Sequence, residues 1–389
     1  MNLIAAHSFP VWLPQTQTWL YNQVRFLPKD ITSHILCKET RNLDQFRLPS
    51  IHSLSGPSSR LTRLSTRLFR HVDFHLFTRY MCRRIGPDIL HSHFGPVGWK
   101  NHRVLRPFAS SRLRKIRQVV TFYGQDVDHL PRVDPDWIKR YREMFDEVDM
   151  VLCEGPFMAG KVAELGCPKD RLRIHHLGVD LERIPFELRP WRNGEPFRIL
   201  MAAAFRPKKG LLYGFRALEQ LSFRFDLHIT LVGDSTGDPT SNREKQRLMD
   251  YLRSSPISDH VTLTGFISSG QLIETARQHH IYLAPSVTAD DGDSEGGAPV
   301  SLIEMAASGL PVVSSRHCDI PGVIIHGETG LLAGERDVDE IAACLEQLMA
   351  EPQKWPVMTR KARRHIEKNF DAGTQGAELS KIYQEIHSR

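Results

Sequence analysis

The sequence predicts two α/β domains, each built on a mostly parallel sheet that helices cover. Three observations support this fold class. Short apolar runs alternate with amphipathic stretches along the chain, a pattern typical of parallel sheets with crossover helices. The length of 389 residues exceeds an ordinary single core. The segment Asp180–Pro196 is rich in proline and glycine and indicates a linker. We therefore expect a first domain over residues 1–185, a second over 186–365, and a C-terminal helix over 366–389 that packs back toward the first.

Each predicted strand is a short apolar run that is followed by turn residues and then by a segment of helical periodicity. The runs are Leu3–Ala6, Ile89–His91, Val119–Phe122, Met150–Cys153, Ile199–Ala203, Ile229–Val232, Ile281–Ala284 and Pro311–Ser314. Two of the helical segments are Thr18–Leu27 and Tyr213–Leu221. A further helical region, Lys361–Arg389, is expected to break near Phe370–Gly373.

The composition is that of a soluble globular protein, with 41% hydrophobic and 25% charged residues. No apolar run reaches the roughly 18 residues of a membrane-spanning helix, and residues 1–12 lack the features of a signal peptide. The six cysteines are scattered without a C-x-x-C pair, which argues against a zinc site or a disulfide framework. We expect a cytoplasmic protein, with the inner face of the plasma membrane as a candidate place of contact.

Charge is distributed unevenly. Residues 1–120 hold 19 Lys+Arg against 5 Asp+Glu, whereas the rest of the chain holds 32 against 40. The basic part could meet an anionic partner, such as a phospholipid surface or a lipid-linked phosphate, or could be only a solvated face. The stretch Arg60–Arg84 mixes arginine with large apolar residues, which suits either a membrane surface or a helix packed on the sheet. We favour peripheral membrane contact and expect no nucleic-acid partner, because no reading motif is present.

An acidic, glycine-rich loop, Asp290–Gly297, precedes a predicted helix in the second domain. The helix is expected to begin at Pro299, directly after Gly296 and Gly297, and to end before Gly309. Glycines let a ligand approach the backbone, and the amides at a helix start attract phosphate. Glu304 lies more than one turn into the helix, where its carboxylate could accept hydrogen bonds from a ribose diol. The alternative is an exposed helix residue behind a tight turn.

Two further groups of the second domain suit a sugar nucleotide. Glu295 precedes the glycines and could bind sugar hydroxyls, whereas Asp291 and Asp293 form a D-x-D pair that could bind a metal or be only solvated; we expect no metal. Lys209, followed by Gly210 and a helix, could hold a β-phosphate. A cation is disfavoured at a helix start, so a ligand phosphate explains this lysine better than a structural role.

Strand ends offer the remaining candidates. Gly233 and Gly265 end two predicted strands, where open α/β sheets place ligands, although either glycine could merely supply a turn. In the first domain, Thr16 and Thr18 could cap the next helix or contact the donor phosphate. Asp126 could hold an acceptor hydroxyl or cap the next helix.

We expect His91 and His93 to face opposite ways from one strand end, one of them buried. His93, beside Phe94 and Gly95, is the better site candidate.

These residues resemble a known family. Glu295 to Gly309, followed by Leu310-Pro-Val-Val-Ser314, resembles the donor-site motif of glycosyltransferase family 4. Further matching segments, in order, are His91–Gly95, Thr121–Val127, Glu154–Met158, Leu165–Pro168, His176–Asp180, Lys208–Gly210 and Val232–Asp234. The pattern looks most like the branch that builds bacterial exopolysaccharides such as colanic acid or amylovoran.

The resemblance implies a GT-B fold, two Rossmann-like doubly wound domains facing across a cleft, and a retaining transfer of sugar from UDP or GDP. The acceptor would be a glycan or a lipid-linked phosphate, and neither a cofactor nor a metal is expected. The implied catalytic residues are Lys209 and Glu295; we add His93 because of its place at the end of a predicted strand and not because of the resemblance. The implied donor-binding residues are Arg206, Lys209, Gly233, Gly265, Phe266, Gly296, Gly297, Ala298 and Glu304. The implied acceptor-side residues are Thr16, Thr18, Tyr123 and Asp126.

Three positions depart from the family pattern. Eight residues, rather than the usual seven, separate Glu295 from Glu304. Ala204 stands where a phosphate-binding arginine is common, and Arg206 could take that role. Tyr123 replaces a frequent histidine. A sugar-nucleotide epimerase of the same architecture and a non-catalytic sugar-nucleotide-binding protein therefore remain as alternatives.

Overall fold

The computed structural model describes residues 2–14, 17, 19–54, 73–105 and 116–389. The chain divides into two compact units. The first combines Met1–Gly178 with Ala372–Arg389, and the second is Val179–Asp371.

The unit boundaries, at 178/179 and 371/372, differ from the expected 185/186, which follows from the prolines, and from the expected 365/366. Val179 and Ile184 lie before the prolines, yet both are buried in the core of the second unit. Ile366 and Phe370 belong to the same core. Apolar burial thus assigns these short segments to the second unit, whereas proline content marks only where the chain is irregular.

The first unit contains a seven-stranded parallel sheet in the order β3-β2-β1-β4-β5-β6-β7. Its strands are β1 Leu3–Trp12, β2 Ile31–Thr40, β3 Ile51–Ser53, β4 Ile89–His93, β5 Arg117–Thr121, β6 Met150–Cys153 and β7 Leu172–Ile174. Its helices are α1 Leu20–Arg25, α2 Phe74–Ile85, α3 Gly95–Leu105, α4 Leu130–Val133, α5 Asp136–Phe145 and α6 Pro156–Glu164. A π-helical turn over Gln125–His129 precedes α4.

The second unit contains a six-stranded parallel sheet in the order β10-β9-β8-β11-β12-β13. Its strands are β8 Phe197–Ala202, β9 Leu227–Val232, β10 Val261–Gly265, β11 Ile281–Ala284, β12 Val312–Ser315 and β13 Leu331–Ala333. Its helices are α7 Leu211–Ser222, α8 Pro239–Ser254, α9 Ser269–Arg277, α10 Val300–Ser308, α11 Ile320–Val323, α12 Val338–Ala350 and α13 Trp355–Asn369. The last helix of the chain, α14 Ala372–Ser388, belongs to the first unit.

Each predicted apolar run falls on a strand, although Phe122, Ala203 and Pro311 lie one residue outside β5, β8 and β12. The runs form strands because a parallel strand covered on both faces needs apolar side chains on both. All five residues of β4 are buried. The predicted break in the C-terminal helical region falls between α13 and α14. In the first unit, α14 covers one face of the sheet: Leu379, Tyr383 and Ile386 share a core with residues of β1, β4, β5 and β6.

Helix α10, which carries Glu304, differs from its prediction at one end. Pro299 is the N-cap and not the first helical residue, because its ψ of 130° is outside the helical range. At the other end Gly309 has φ 95°, and this left-handed conformation terminates the helix as predicted.

Both sheets have the strand order of doubly wound α/β folds. In the second unit the direction of winding reverses between β8 and β11, the two central neighbours. Ligands of such sheets bind outside the carboxyl ends of the strands at this reversal. The loops that follow β8 and β11 are therefore where a ligand of the second unit is expected.

Candidate active site

The site of the second unit forms where Lys209 and Glu295 meet. Lys209 ends a short 3₁₀ turn after β8, and Glu295 lies in the loop after β11. The Lys209 Nζ donates to both carboxylate oxygens of Glu295 at 2.8 Å, and the Ser286 hydroxyl donates to Oε1 at 2.8 Å. The pair stands at the reversal of the strand order, 86 residues apart in sequence.

Glu295 is held in its ionised form. Its side chain is only 6% exposed. Burial by itself raises the pKa of this carboxyl, but the positive charges of Lys209 and Lys208 outweigh burial and lower the pKa to about 2. An ionised, buried carboxylate that already accepts three hydrogen bonds is a fixed acceptor for hydroxyl groups and a poor proton donor.

Lys208 donates hydrogen bonds to two residues of the acidic loop. Its Nζ donates to Asp293 Oδ1 at 3.0 Å and to the Ser294 carbonyl at 2.8 Å. The Asp291 carboxylate accepts the amide of Asp293 at 3.0 Å. The two aspartates of the D-x-D pair are thus engaged by groups of the protein.

Arg206 lies with the loop after β9. Its guanidinium donates to Asp238 Oδ2 at 2.8 Å and to the Thr236 hydroxyl at 3.2 Å. Asp238 also caps α8 through the amides of Thr240 and Ser241. The structure therefore brings Arg206 to the start of α8 and not to the Lys209–Glu295 pair.

Gly233 and Gly265 bring the ends of neighbouring strands together. The Gly233 amide donates to the Gly265 carbonyl at 2.9 Å. Gly233 has φ 126°, and a Cβ there would lie 1.9 Å from the Ala203 carbonyl oxygen, so a side chain does not fit. Phe266, which follows this turn, exposes its ring.

The end of the acidic loop presents backbone amides. The Gly296 amide donates to the Ser294 hydroxyl at 3.0 Å, and the Gly297 carbonyl accepts the amide of Asp319 at 3.3 Å. Within the described residues, the amides of Gly297 and Ala298 have no acceptor. They lie directly before α10, where the helix dipole also favours an anion.

Glu304 occupies the second turn of α10 and is half-buried. Burial raises the pKa of its carboxyl to about 7. Among the residues that the structure describes, none donates a hydrogen bond to this carboxylate. Such a group gains most from a ligand that brings its own donors, as the two hydroxyls of a ribose do.

Three side chains of this site were missed in the sequence: Ser286, His317 and Glu335. They follow β11, β12 and β13, so each stands at the carboxyl end of a parallel strand. That position was the available signal, but polar residues after strands are too frequent to single these out.

The first unit has its own polar cluster, built around His91 and His93. The expectation that these two face opposite ways was wrong: their rings stack with centroids 4.2 Å apart, and both are buried. Side chains alternate along a strand, so residues two apart share a face.

Hydrogen bonds hold both imidazoles. His91 pairs through Nδ1 with the Tyr383 hydroxyl and through Nε2 with the Thr121 hydroxyl, each at 2.6 Å. His93 pairs through Nε2 with His7 Nδ1 at 3.2 Å. Burial lowers the pKa of His91 and His93 well below the ordinary value and that of His7 to about 3, so the cluster is neutral.

The three histidines also have the composition of a metal site, with one nitrogen of each within 4.8 Å of the others. Five of their six ring nitrogens already have protein partners. In the described part of the chain, only His7 Nε2 lacks one. The arrangement is that of a buried hydrogen-bond network, because a metal would have to displace these partners.

Tyr123 and Asp126 lie beside this network. The Tyr123 hydroxyl is 2.9 Å from His93 Nδ1 and donates to Gln23 Oε1 at 3.4 Å. The Asp126 carboxylate accepts the amides of Gly95 and Tyr123 at 3.0 and 3.2 Å. Asp126 therefore caps α3, an earlier helix than the one expected. Burial raises the pKa of Asp126 to about 7 despite these two donors. Thr16 and Thr18, the other predicted residues of this side, are outside the described residues.

Comparison with known proteins identifies the family. The model of "Glycosyltransferase Family 4" matches residues 16–183, and the model of "Glycosyl transferases group 1" matches residues 187–369. The amylovoran biosynthesis glycosyltransferase AmsK of Erwinia amylovora is 30% identical over 303 residues, which are 77% of this chain and 70% of that protein.

The chain belongs to glycosyltransferase family 4.

Other relatives of this family-4 glycosyltransferase have names that refer to different products and donors. The putative colanic acid biosynthesis glycosyltransferase WcaL of Escherichia coli is 27% identical, covering 77% of this chain and 71% of its own. A mannosyltransferase of Mycolicibacterium smegmatis, described as GDP-mannose-dependent, is 27% identical over 78% of this chain and 72% of its own.

Solved structures show the fold of the family-4 enzyme. The sucrose-phosphate synthase of Thermosynechococcus elongatus superimposes with a TM-score of 0.78 at 16% identity, covering 99% of both chains. HepE of Anabaena, solved in complex with UDP-glucose, gives 0.77 at 14% identity over 98% of this chain and 100% of its own. The fold is GT-B, with two Rossmann-like domains. Within the described ranges, no helix combines the length and the apolar character that spanning a bilayer requires.

Proposed function

We propose that this glycosyltransferase is a retaining hexosyltransferase. It takes its sugar from UDP or GDP and adds it to a glycan or a lipid-linked acceptor in bacterial polysaccharide biosynthesis. The observation that carries the proposal is the grouping at one sheet edge of the second unit: the Lys209–Glu295 pair, the amides of Gly297 and Ala298, and the carboxylate of Glu304.

The diphosphate would be bound by Lys209 and by the amides before α10. Negative charge grows on the β-phosphate as the bond to the sugar breaks, and a cation held in place stabilises that charge most. Lys209 is already oriented by Glu295, so little reorganisation accompanies the reaction. A lysine that shares its charge between a carboxylate and a phosphate needs no metal at this place.

The two glutamates would take different hydroxyl groups. Glu304 has a carboxylate with unused acceptor capacity, as a ribose diol requires. Glu295 stays ionised beside Lys209 and would accept hydroxyls of the transferred sugar. Since the charge of Glu295 is already paired, it is better suited to orienting the sugar than to attacking it. The retaining course proposed for the family fits, because it needs no protein nucleophile.

The base would lie against the turn at Gly265 and the exposed ring of Phe266. Both UDP and GDP stay candidates, since HepE was solved with UDP-glucose and the mycobacterial relative is named for GDP-mannose.

The acceptor is proposed to be anionic or held at an anionic membrane. The excess of basic residues lies in the first 120 positions. In the described part of that region, Leu76 and Tyr80 of α2 expose apolar surface beside Arg79 and Arg83. An arginine-rich helix with exposed apolar side chains can lie on anionic lipid. Residues 60–72 of the stretch Arg60–Arg84 lie outside the described residues. A cytoplasmic location is proposed with it, since no disulfide joins the six cysteines, all of which are described.

A thermal-shift screen of UDP, GDP and their sugar conjugates tests the donor site first. A ligand of the folded state raises the melting temperature by mass action. We expect one nucleotide to stabilise the wild type, and Lys209→Met and Glu304→Gln to lose that shift. Lys354→Met is the matched control, since Lys354 is exposed and pairs with Glu351 away from the site. Absence of any shift at millimolar nucleotide would reject the donor-site assignment.

Product analysis then separates the alternatives. Incubation with the stabilising sugar nucleotide and acceptor should release the nucleoside diphosphate, and NMR of the product should show the anomeric configuration of the donor. An inverted configuration would refute retention. Conversion of the sugar while it stays on the nucleotide would instead identify an epimerase. Binding without release in the presence of glycan and lipid-linked acceptors would favour a non-catalytic binding protein.

A further inference from the structure

We propose that His317, oriented by Glu335, is a positioning residue that fixes Glu295 for recognition of the donor sugar. The inference rests on the proposed function of the same site. It adds two residues, from the ends of β12 and β13, that do not themselves touch the nucleotide in this scheme.

The imidazole of His317 joins two loops. Its Nδ1 is 2.7 Å from Glu335 Oε1, and its Nε2 accepts the backbone amide of Glu295 at 3.1 Å. The ring is 1% exposed. Glu295 is therefore held at two points, by Lys209 at its carboxylate and by His317 at its main chain.

The partners determine the tautomer of this ring. A backbone N–H can only donate, so Nε2 of His317 must be unprotonated to accept it. The proton of the neutral ring is then on Nδ1, where it is donated to Glu335. The Cys318 sulfur, 3.1 Å from the same Nε2, is a second group that can donate to it. A carboxylate behind an imidazole is the usual device for holding a histidine in one tautomer and one orientation.

Glu335 holds two parts of the loop that follows β11. Its second oxygen, Oε2, accepts the backbone amide of Thr288 at 2.7 Å. Thr288 lies near the start of the loop after β11, and Glu295 lies near its end. The Glu335 carboxylate thus holds Thr288 directly and Glu295 through His317, and so fixes these two parts of the loop relative to each other.

Loss of the imidazole should affect the sugar more than the nucleotide. Lys209 and Ser286 would still contact the Glu295 carboxylate, so the phosphate-binding group keeps its partner. The main chain of Glu295, however, would lose its anchor, and the carboxylate could shift together with Lys209 and Ser286 away from the place that suits the sugar. A displacement of about 1 Å is enough to cost much of the rate of a reaction that depends on orientation.

The test compares His317→Leu, His317→Gln and, as matched control, His326→Leu. The His326 ring also accepts a backbone amide, that of Leu332 at 3.0 Å, but belongs to another loop. Calorimetry would give the Kd of the nucleoside diphosphate and of the sugar nucleotide, and kinetics would give kcat and KM. For His317→Leu we expect the Kd of the nucleoside diphosphate to stay within about twofold of the wild-type value. The ratio of this Kd to the Kd of the sugar nucleotide, which measures the contribution of the sugar, should fall roughly tenfold, and so should kcat, since one hydrogen bond is lost. His317→Gln, whose side-chain oxygen can accept the same amide, should recover most of the loss, and His326→Leu should behave as wild type.

A second measurement uses the wild-type chain and no activity. Selective ¹⁵N-histidine labelling and long-range ¹H–¹⁵N correlation report the tautomer of each ring, and the signal absent from His317→Gln identifies His317. The Nδ1–H form is expected. An Nε2–H form would overturn the proposal, as would equal losses for nucleotide and sugar nucleotide in His317→Leu, or a His317→Gln variant no better than His317→Leu. Failure of the wild type to bind any nucleotide would instead reject the proposed function, and the tautomer measurement would still decide whether His317 holds Glu295.

Discussion

Replacing Glu304 by glutamine should stabilise the folded protein at pH 8 and, at the same time, weaken its affinity for the nucleotide. Burial raises the pKa of this carboxyl from 4.5 to about 7. Below pH 4.5 the group is neutral in the folded and the unfolded chain, and it costs no stability. Above pH 7 it is ionised in both, and the folded state bears the full cost of a desolvated charge. The penalty therefore appears as the pH rises from about 4.5 through about 7.

The magnitude follows from the pKa difference. One pKa unit corresponds to about 1.4 kcal/mol, so the shift from 4.5 to about 7 sets an upper bound of roughly 3–4 kcal/mol on the cost at pH 8. Glu304 is only half-buried, and water reaching its carboxylate reduces the expected gain for Glu304→Gln to about 1–3 kcal/mol.

Urea denaturation at pH 5 and pH 8 measures this gain. The free energy of unfolding of Glu304→Gln should exceed that of the wild type at pH 8 and approach it at pH 5. Glu328→Gln is the matched control, because Glu328 is exposed. A variant that is less stable than the wild type at pH 8, or whose advantage does not change with pH, would refute the reasoning.

The nucleotide should respond to pH through the same carboxyl. A ribose diol donates two hydrogen bonds, and the ionised carboxylate accepts them more strongly than the protonated carboxyl, one of whose oxygens carries a proton. The nucleotide affinity of the wild type should then fall as the pH drops below about 7, by at most tenfold per pH unit, and Glu304→Gln should bind weakly with no such dependence. Calorimetry at pH 6 and pH 8 measures this, and a wild-type affinity that does not change with pH would argue against Glu304 as the ribose acceptor.

Three further predictions follow from the same site. Lys209→Met should lower the free energy of unfolding by about 2–4 kcal/mol in chemical denaturation, because it leaves the buried Glu295 carboxylate without its main counter-charge. Adding Glu295→Gln should recover most of this loss, and a double variant in which the two effects simply add would contradict the prediction. Gly233→Ala should lower the melting temperature far more than Gly265→Ala, since the new Cβ would meet the Ala203 carbonyl at 1.9 Å, whereas Gly265, also at positive φ, has nothing within 4 Å. Sugar transfer should continue in EDTA, because the lysine and the backbone amides of the site supply the positive charge; loss of activity that Mg²⁺ restores would show that a metal is needed.

Local features of the fold could be predicted because local sequence encodes them. A short apolar run bounded by turn residues is typical of a strand that is buried on both faces, and Ile281–Ala284 is such a case. Gly309 ends α10 because a residue without Cβ adopts the left-handed conformation easily. The two-residue period of a strand places His91 and His93 on one face, so the prediction that they face opposite ways was wrong.

The sequence by itself determined the alternation of strands and helices and the end of α10 at Gly309, and its family motifs predicted Lys209, Glu295 and Glu304 as candidate site residues. Only the tertiary structure decided which polar side chains pair with each other. The order of parallel strands brings Lys209 to Glu295 across 86 residues and sets His317 between Glu295 and Glu335. No local pattern contains that information, because propensity and periodicity describe a few neighbouring residues, whereas the partner of a buried polar group depends on which strands lie side by side.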